Sequence, residues 1–190
     1  MHEADEIRIL DAFGDDVPDG MPGSIYTRGP YTPRGYYNAP EHNERAFLPD
    51  GWYGSGDIVV RRPDGNLVVH GRDKDMINRG GEKISAEEIE GLMYRLDAVE
   101  MVAAVSMPDP VMGERVCVYA VVKPGHQPPT LDDVRAAFAQ AEVAAFKYPD
   151  RLELVDALPM TKVGKINKRT LRHDIAERLH EQPTREEIAR

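Results

Sequence analysis

Three short motifs in this sequence combine glycine with charged side chains, a pattern suited to close contact with a ligand. One of them, PMTKVGK at residues 159–165, places Lys165 on a glycine-containing loop just before a predicted helix. An ammonium on such a loop can move toward a negatively charged substrate and stabilise charge that develops at a phosphoryl or carboxyl oxygen. A solvated surface side chain is the more common role of any single lysine, so this motif needs support from the others.

The second motif is YGSGD at residues 53–57. Its two glycines are expected to let the backbone turn tightly and to bring Asp57 to the mouth of a strand. A carboxylate in that position can accept hydrogen bonds from both hydroxyls of a ribose, as acidic residues do in other nucleotide folds. Taken alone, the motif is better explained as a turn with a capping aspartate.

The third motif is GRDKDMINRGGEKI at residues 71–84. Arg72 offers a rigid fork of donors for ribose or phosphate oxygens. Gly80 and Gly81 allow the backbone or chain of a ligand to approach closely. A charged linker with a glycine turn is an equally good interpretation of these residues.

Composition narrows the classes of function. The formal net charge of −9 over 190 residues argues against a general nucleic-acid or anionic-membrane binder. Cys117 is the only cysteine, so no intrachain disulfide can form, and its apolar neighbours predict a buried side chain rather than a reactive thiol. No stretch approaches the ~20 apolar residues that span a bilayer, and residues 1–6 are too polar for a signal peptide. We therefore expect a cytoplasmic protein.

The elements that must position the motifs change character near residue 70. Before it, the sequence predicts short strands at 7–10, 24–27, 58–61 and 67–70, and a short helix capped by Asn38. After it, helices begin at Ser85, Thr130 and Asn167, and strands are predicted at 99–107, 116–122 and 152–155. The predicted fold class is α+β, with a small mainly-β subdomain followed by a compact α+β domain whose short central sheet is flanked by helices.

The same pattern divides the chain. We expect the mainly-β unit over residues 1–70, a linker or hinge over 71–75, the α+β domain over 76–180 and a flexible tail over 181–190, with Pro183 ending the last helix. Charged and glycine residues between two apolar units are typical of a hinge.

Together and in this order, the three motifs resemble the adenylate-forming superfamily of acyl- and aryl-CoA synthetases, peptide-synthetase adenylation domains and luciferases. The runs RGPYT at 28–32, RGYY at 34–37 and NRGGEK at 78–83 look like the branch that adenylates 2,3-dihydroxybenzoate or salicylate for siderophore synthesis. The resemblance covers residues 5–179. It implies a ligase in which a carboxylic acid attacks the α-phosphate of Mg-ATP, giving an acyl-adenylate, and a thiol then takes the acyl group.

The resemblance also implies roles for single residues in the first of these two steps. Asp57 and Arg72 would hold the ribose hydroxyls of ATP or AMP, and Val69 would lie against the nucleotide. Lys165 would bridge the α-phosphate and the carboxylate of the acid. Mg²⁺ would be bound by the nucleotide, with no metal site on the protein.

For the second step, the resemblance implies a mobile C-terminal lid domain that rotates about Lys74. Lys83 and the loop Gly80-Gly81 would then lie near the phosphate and the incoming phosphopantetheine arm of an aryl carrier protein. Free coenzyme A is the alternative acceptor.

The sequence departs from the family in one large respect. The phosphate loop and the aromatic-rich acid pocket are absent, because both belong to a large N-terminal adenylation domain of which residues 1–70 resemble only the last subdomain. A smaller departure is Ser24, which follows Gly23 where the family usually has glutamate. We expect no adenylation from these residues alone, and a non-catalytic module that binds a carrier protein or an N-terminal partner in trans stays open as a second hypothesis. The acid and the oligomeric state are not readable from these residues.

Overall fold

The computed structural model describes residues 5–181, except for the side chain of Glu181. The chain divides into two compact units, of which the first ends at Lys74 and the second begins at Asp75. The predicted tail and the predicted helix end at Pro183 lie outside the described residues. No helix within the described range is both long and apolar enough to cross a membrane.

Nine strands and four helices make up the described chain. The strands are β1 (Glu6–Leu10), β2 (Pro22–Arg28), β3 (Tyr53–Arg61), β4 (Leu67–Arg72), β5 (Met76–Arg79), β6 (Glu82–Ser85), β7 (Val99–Asp109), β8 (Gly113–Val122) and β9 (Arg151–Leu154). The helices are α1 (Pro40–Ala46), α2 (Ala86–Met93), α3 (Leu131–Gln140) and α4 (Lys168–Glu181). Single 3-10 turns lie at Pro49–Gly51, Asp73–Asp75 and Ala145–Lys147. The α+β class predicted from the sequence is confirmed.

The first unit is an antiparallel sheet in the order β1-β2-β3-β4. The predicted hairpin between β3 and β4 is present, and its turn closes with a hydrogen bond from Arg62 N–H to the Asn66 carbonyl at 2.8 Å. The buried apolar residues of this sheet are Ile9, Leu10, Ile58 and Val59. They form two pairs of adjacent residues, one at the end of β1 and one in the middle of β3, so burial in this sheet is local and does not follow a strict alternation along the strands.

The start of α1 differs from the prediction. The N-cap is Ala39, which makes no side-chain capping hydrogen bond, and Asn38 has a left-handed backbone with φ 51°. Asparagine tolerates that conformation better than most residues, so Asn38 serves the turn before the helix rather than the cap. Pro40 takes the first helical position, as predicted.

The second unit is built on β8. This strand pairs with β7 along its length, with β5 at its start through Arg79 and Gly113, and with β9 in parallel over residues 117–120. Because β8 and β9 are parallel, the chain must cross over between them, and α3 lies in that connection. The prediction that β8 is a central strand is correct.

Both faces of β8 are covered by helices. Val116 and Val118 belong to the apolar cluster that includes residues of α2 and α3. Cys117 and Tyr119 belong to the cluster that includes residues of α4. This two-residue alternation puts every second side chain on the opposite face of the sheet, which explains why the strand reads as a continuous apolar run.

The hairpin of β5 and β6 was not predicted. Its two strands contain four residues each, and within them the cross-strand pair Ile77 and Ile84 supplies most of the buried apolar surface. A two-residue alternation in such short strands is too brief to be recognised, so the segment looked like a charged linker. The predicted caps that follow are present: Ser85 Oγ accepts from Glu88 N–H, and Thr130 forms a capping box with Asp133.

The burial of Cys117 leads to a prediction. Removal from water is the largest cause that raises the pKa of the thiol, to about 12, with the nearby Glu153 carboxylate adding to it. Because the thiolate is the reactive form, we expect the folded chain to react with a disulfide reagent at pH 8 at least ~10²-fold more slowly than the same chain in concentrated urea. Equal rates in a spectrophotometric thiol assay would contradict the burial.

Candidate functional site

The YGSGD motif lies inside β3, which starts at Tyr53, and not in a turn before a strand as predicted. Gly54 is needed for packing, because a Cβ there would lie 2.7 Å from the ring of Tyr26. Gly56 is needed for its backbone, since its φ of +79° is one that L side chains rarely adopt. The two glycines therefore give β3 a shape in which the next residue, Asp57, lies opposite the edge strand β4.

Asp57 and Arg72 are brought together as direct cross-strand partners. Arg72 Nε lies 3.0 Å from Asp57 Oδ1, and Ser55 Oγ donates to Asp57 Oδ2 at 2.7 Å. An ionised carboxylate offers about four lone-pair sites, so Asp57, whose side chain is 29% exposed, keeps capacity for further donors. The pair is thus a preformed acceptor and donor that a hydroxyl-bearing ligand can contact.

Val69 lies on β4, three residues before Arg72, and its side chain is 58% exposed. The register of β3 and β4 shifts between Ile58 and Val59, which marks a bulge at this point of the ladder. An exposed valine beside a charged pair offers an apolar surface to a flat ligand. The structure therefore places Val69 on the same short strand as Arg72.

Lys74 is exposed and is the last residue of the first unit. Arg72, two residues before it, and Asp75, directly after it, are each held within their own unit. Arg72 is paired with Asp57, and Asp75 accepts from Arg172 Nη1 of α4 at 3.2 Å. The backbone around Lys74 is therefore the stretch of chain between two fixed points.

The loop Gly80-Gly81 forms the tip of the β5–β6 hairpin. Both glycines have left-handed backbones, with φ of +59° and +95°. Gly80 N–H donates to the Met112 carbonyl at 2.8 Å, and a Cβ at this position would lie 2.7 Å from the Met112 methyl group. Lys83 is exposed on the second strand of the same hairpin. The predicted residues of the second step thus share one hairpin.

Lys165 lies on a tight loop in the second unit. A single β-bridge pairs Met160 with Ile166 across the base of this loop. Thr161 holds its two sides together, because its N–H donates to the Lys165 carbonyl at 2.7 Å and its Oγ1 accepts from the Lys165 N–H at 3.1 Å. Gly164, with φ +75°, makes the turn possible. The backbone of Lys165 is therefore well held while its side chain projects from the loop.

Two lysines three residues apart have opposite environments. Lys168, at the start of α4, lies 2.7 Å from Glu90, and both side chains are less than one-fifth exposed. The Lys165 side chain is exposed and takes no part in the hydrogen bonds or ion pairs formed within residues 5–181. Lys168 is a structural ion pair, whereas Lys165 carries a charge that the rest of its unit does not neutralise.

The second unit also contains a cleft of about 1220 Å³, which is lined by other residues than those predicted to act. Its walls come from the β7–β8 turn, the loop before α3, β9 and the end of α4, and among the described residues they include none of the residues predicted to act. Three charged residues of its lining form a network in which Arg115 lies between Asp109 and Asp150.

Comparison with known proteins identifies the second unit. The family described as the AMP-binding enzyme C-terminal domain matches residues 88–165. Residues 88–165 carry an AMP-binding enzyme C-terminal domain. The sequence-based resemblance to adenylate-forming enzymes is thereby confirmed. The range matched by the family ends at Lys165, the residue predicted to be catalytic.

Relatives of the AMP-binding domain agree with this. The chain is 61% identical over 168 residues to a salicylyl-CoA synthase / salicylate adenylyltransferase of a Streptomyces species, covering 88% of this chain and 30% of that protein. It is 48% identical to the 2,3-dihydroxybenzoate-AMP ligase of Bacillus subtilis strain 168, covering 94% of this chain and 33% of the ligase. The chain therefore spans about a third of the length of these curated relatives.

A solved structure supports the fold. The anthranilate CoA ligase AuaEII, in complex with anthranoyl-AMP, superposes with a TM-score of 0.81 at 27% identity, covering 94% of this chain and 34% of that one. The similarity to aryl-acid adenylating ligases thus holds in both sequence and structure.

Several residues that shape the site were not found from the sequence. Arg172 and Asp75 are 97 residues apart, and Arg79 and Asp150 are 71 apart, so no local spacing could reveal either pair. The hydrogen bond from Ser55 to Asp57 was not predicted either. The position of Ser55 two residues before an aspartate is a pattern in which a serine side chain bonds locally, and this signal could have identified the bond.

The contrast between the two lysines gives a direct test of the geometry. Under limiting acetic anhydride, we expect Lys165 to be acetylated well before Lys168, because Lys168 is buried and paired with Glu90. Peptide mass spectrometry of the folded chain measures both rates in one sample. Faster modification of Lys168 would show that the Lys165 side chain is not available.

Proposed function

We propose that this chain acts as the C-terminal part of an ATP-dependent aryl-acid adenylating ligase. The observation that carries the proposal is the unpaired charge of Lys165, held on a rigid loop whose neighbouring lysine is fully neutralised. A lysine that fixes the fold is expected to be paired, as Lys168 is, whereas a lysine that must reach a substrate has to stay unpaired, as Lys165 does. Lys162 on the same loop is also exposed, so the resemblance of residues 159–165 to the family motif is what favours Lys165 over Lys162.

In the proposed first step, a carboxylate oxygen of the acid attacks the α-phosphorus of ATP. A new phosphorus–oxygen bond forms, the bond to the β-phosphate oxygen breaks, and pyrophosphate leaves with its electrons. The Lys165 ammonium would lie between the carboxylate and the α-phosphate, where it reduces their repulsion and stabilises charge in the transition state. No proton needs to move in this step.

The Asp57 and Arg72 pair suits a ribose of ATP or AMP. Asp57 retains acceptor sites for hydroxyl donors, and the contact of Arg72 with Asp57 uses its Nε, so its two Nη groups are available for ribose or phosphate oxygens. The exposed Val69 adds an apolar contact. Within residues 5–181, no group of three or more histidine, cysteine, aspartate or glutamate side chains is placed to hold a metal ion. In the proposal, Mg²⁺ is bound by the nucleotide phosphates.

In the proposed second step, a thiol attacks the acyl carbon, its proton is lost to water, and AMP leaves. Lys165 is not needed for this reaction, whereas Lys83 and the loop Gly80-Gly81 would come near the phosphate and the thiol. Lys74 would be the residue whose backbone torsions change between the steps. Its place between Arg72 and Asp75, each held in its own unit, supports that role.

The acceptor thiol has two candidate sources. We propose the phosphopantetheine of an aryl carrier protein, because the NRGGEK run and the dihydroxybenzoate-AMP ligase relative point to that branch. Free coenzyme A is favoured by a separate observation, since the salicylate-activating relative with 61% identity is named a salicylyl-CoA synthase. Supplying each acceptor to the same preformed acyl-adenylate and measuring thioester by mass spectrometry separates the two.

The central substitution is Lys165→Ala. Assayed with the adenylation domain, either joined to it or supplied separately, we expect it to slow ATP–pyrophosphate exchange with salicylate or 2,3-dihydroxybenzoate by ~10²–10³-fold, the usual cost of one key electrostatic donor. Thioester formation from added acyl-adenylate should change by less than ~3-fold, because that step is assigned to other residues.

Lys162→Ala is the matched control, since Lys162 is an exposed lysine on the same loop. It should leave both steps close to the unsubstituted rate. Exchange that survives Lys165→Ala would refute the catalytic assignment. Binding of the wild-type chain to the adenylation domain without any exchange would instead indicate a non-catalytic module.

A further inference from the structure

The glycine hairpin is tied to the rest of its unit by a buried ion pair. Arg79, the residue before Gly80, donates from Nη2 to Asp150 Oδ1 at 3.0 Å and from Nη1 to the Phe146 carbonyl at 3.1 Å. The side chains of Arg79 and Asp150 are only 19% and 12% exposed. Because little water reaches the pair, its geometry is much better defined than that of a surface ion pair.

Asp150 is itself fixed by the sheet. Its Oδ2 accepts from Val116 N–H at 3.2 Å, and its own N–H donates to the Val116 carbonyl at 2.9 Å. These two bonds lie where the parallel pairing of β8 and β9 begins. Arg79 therefore connects the glycine hairpin to the most constrained part of the second unit.

The other side of the hairpin tip rests on the β7–β8 turn. Asp109 Oδ1 accepts from the N–H groups of Val111 and Met112, at 3.0 and 2.8 Å, and Arg115 Nε lies 2.6 Å from Asp109 Oδ2. The Met112 N–H is the largest cause that lowers the pKa of Asp109, with Val111 N–H and Arg115 adding to it, so Asp109 stays ionised and the turn stays closed. The closed turn presents the Met112 carbonyl to Gly80.

The arrangement is more than general stabilisation of the fold. Arg79 Nε is buried and finds no acceptor within the described residues. A buried donor without an acceptor is unfavourable. The position of the Arg79 side chain is therefore set by the contacts of its two Nη groups, at the cost of leaving Nε without a partner. Arg115 Nη1, 3.5 Å from Asp150 Oδ1, adds a second positive charge beside Asp150 and joins the two sides of the tip.

We infer that Arg79 and Asp150 are positioning residues of the thioester-forming step, which fix the Gly80-Gly81 loop where a thiol arm must pass. The inference rests on the proposed function, which assigns that loop to the second step. A shift of about 1 Å in such a loop can cost a reaction ~10²-fold. The adenylation step uses Lys165 on a different loop and should not depend on the pair.

The test compares Arg79→Ala, Asp150→Asn and the conservative Arg79→Lys, with Arg95→Ala as an exposed arginine control in the same unit. All are assayed with the adenylation domain present. For Arg79→Ala and Asp150→Asn we expect pyrophosphate exchange within ~2-fold of the unsubstituted protein, and single-turnover thioester formation at saturating acceptor reduced ~10-fold or more. Arg79→Lys can still meet Asp150 with a point charge, so it should recover part of the rate.

Amide exchange at Gly80 gives a readout that does not depend on catalysis. Its N–H is bonded to the Met112 carbonyl, so loosening the tip should accelerate its exchange in Arg79→Ala and Asp150→Asn but not in Arg95→Ala. Equal losses in both half-reactions, or unchanged thioester rates despite faster Gly80 exchange, would overturn the positioning role.

Failure of the proposed function has a separate signature. If the unsubstituted protein shows no pyrophosphate exchange, the ligase assignment itself is wrong. Amide exchange at Gly80 then tests separately whether Arg79 and Asp150 fix the Gly80-Gly81 loop. Faster exchange in the variants supports that part of the inference, and unchanged exchange overturns it. Circular dichroism melting of each variant shows whether a loss reflects unfolding, and Asp150→Asn, which keeps the size of the side chain, guards against that outcome.

Discussion

The burial of β8 on both faces is the constraint on which the second unit depends. Because helices pack on both faces of this strand, a one-residue slip of its register would move every side chain into the packing of the opposite face, where a different set of residues is expected. The strands that pair with β8 are positioned by it. Of these, β5 carries the glycine hairpin, and β9 leads through the Lys165 loop to α4. Lys165 of the proposed first step and the Gly80-Gly81 loop of the proposed second step thus lie on elements that β8 positions.

Within that frame, charged residues fall into two groups. The members of one group are paired and partly buried, as Lys168 with Glu90 and Arg79 with Asp150 are. Such pairs contribute little net stability once the cost of removing charges from water is counted, but they define geometry well. The Lys165 ammonium is different because its loop is held only through backbone and threonine contacts. This leaves the charge free to serve a ligand.

Much of the fold followed from the sequence where periodicity was long and caps were strong. The seven-residue apolar run in β8 and the cap at Thr130 predicted their elements correctly. The β5–β6 hairpin was not predicted because its strands are short and polar. Asn38 was misassigned because an asparagine two residues before a proline suits both a helix cap and a left-handed turn. The motifs were recognised, but their partners were not. Asp150 and Arg172 act over long separations in sequence, which only the folded chain can reveal.

The central claim is that the ammonium at position 165 reaches a nucleotide-bound acid during adenylation. The most direct measurement is the acetylation rate of Lys165 in the presence of the adenylation domain, with and without a non-hydrolysable acyl-adenylate analogue. The account predicts that the bound analogue protects Lys165 strongly while Lys162 on the same loop continues to react. Equal acetylation of Lys165 with and without the analogue would contradict it.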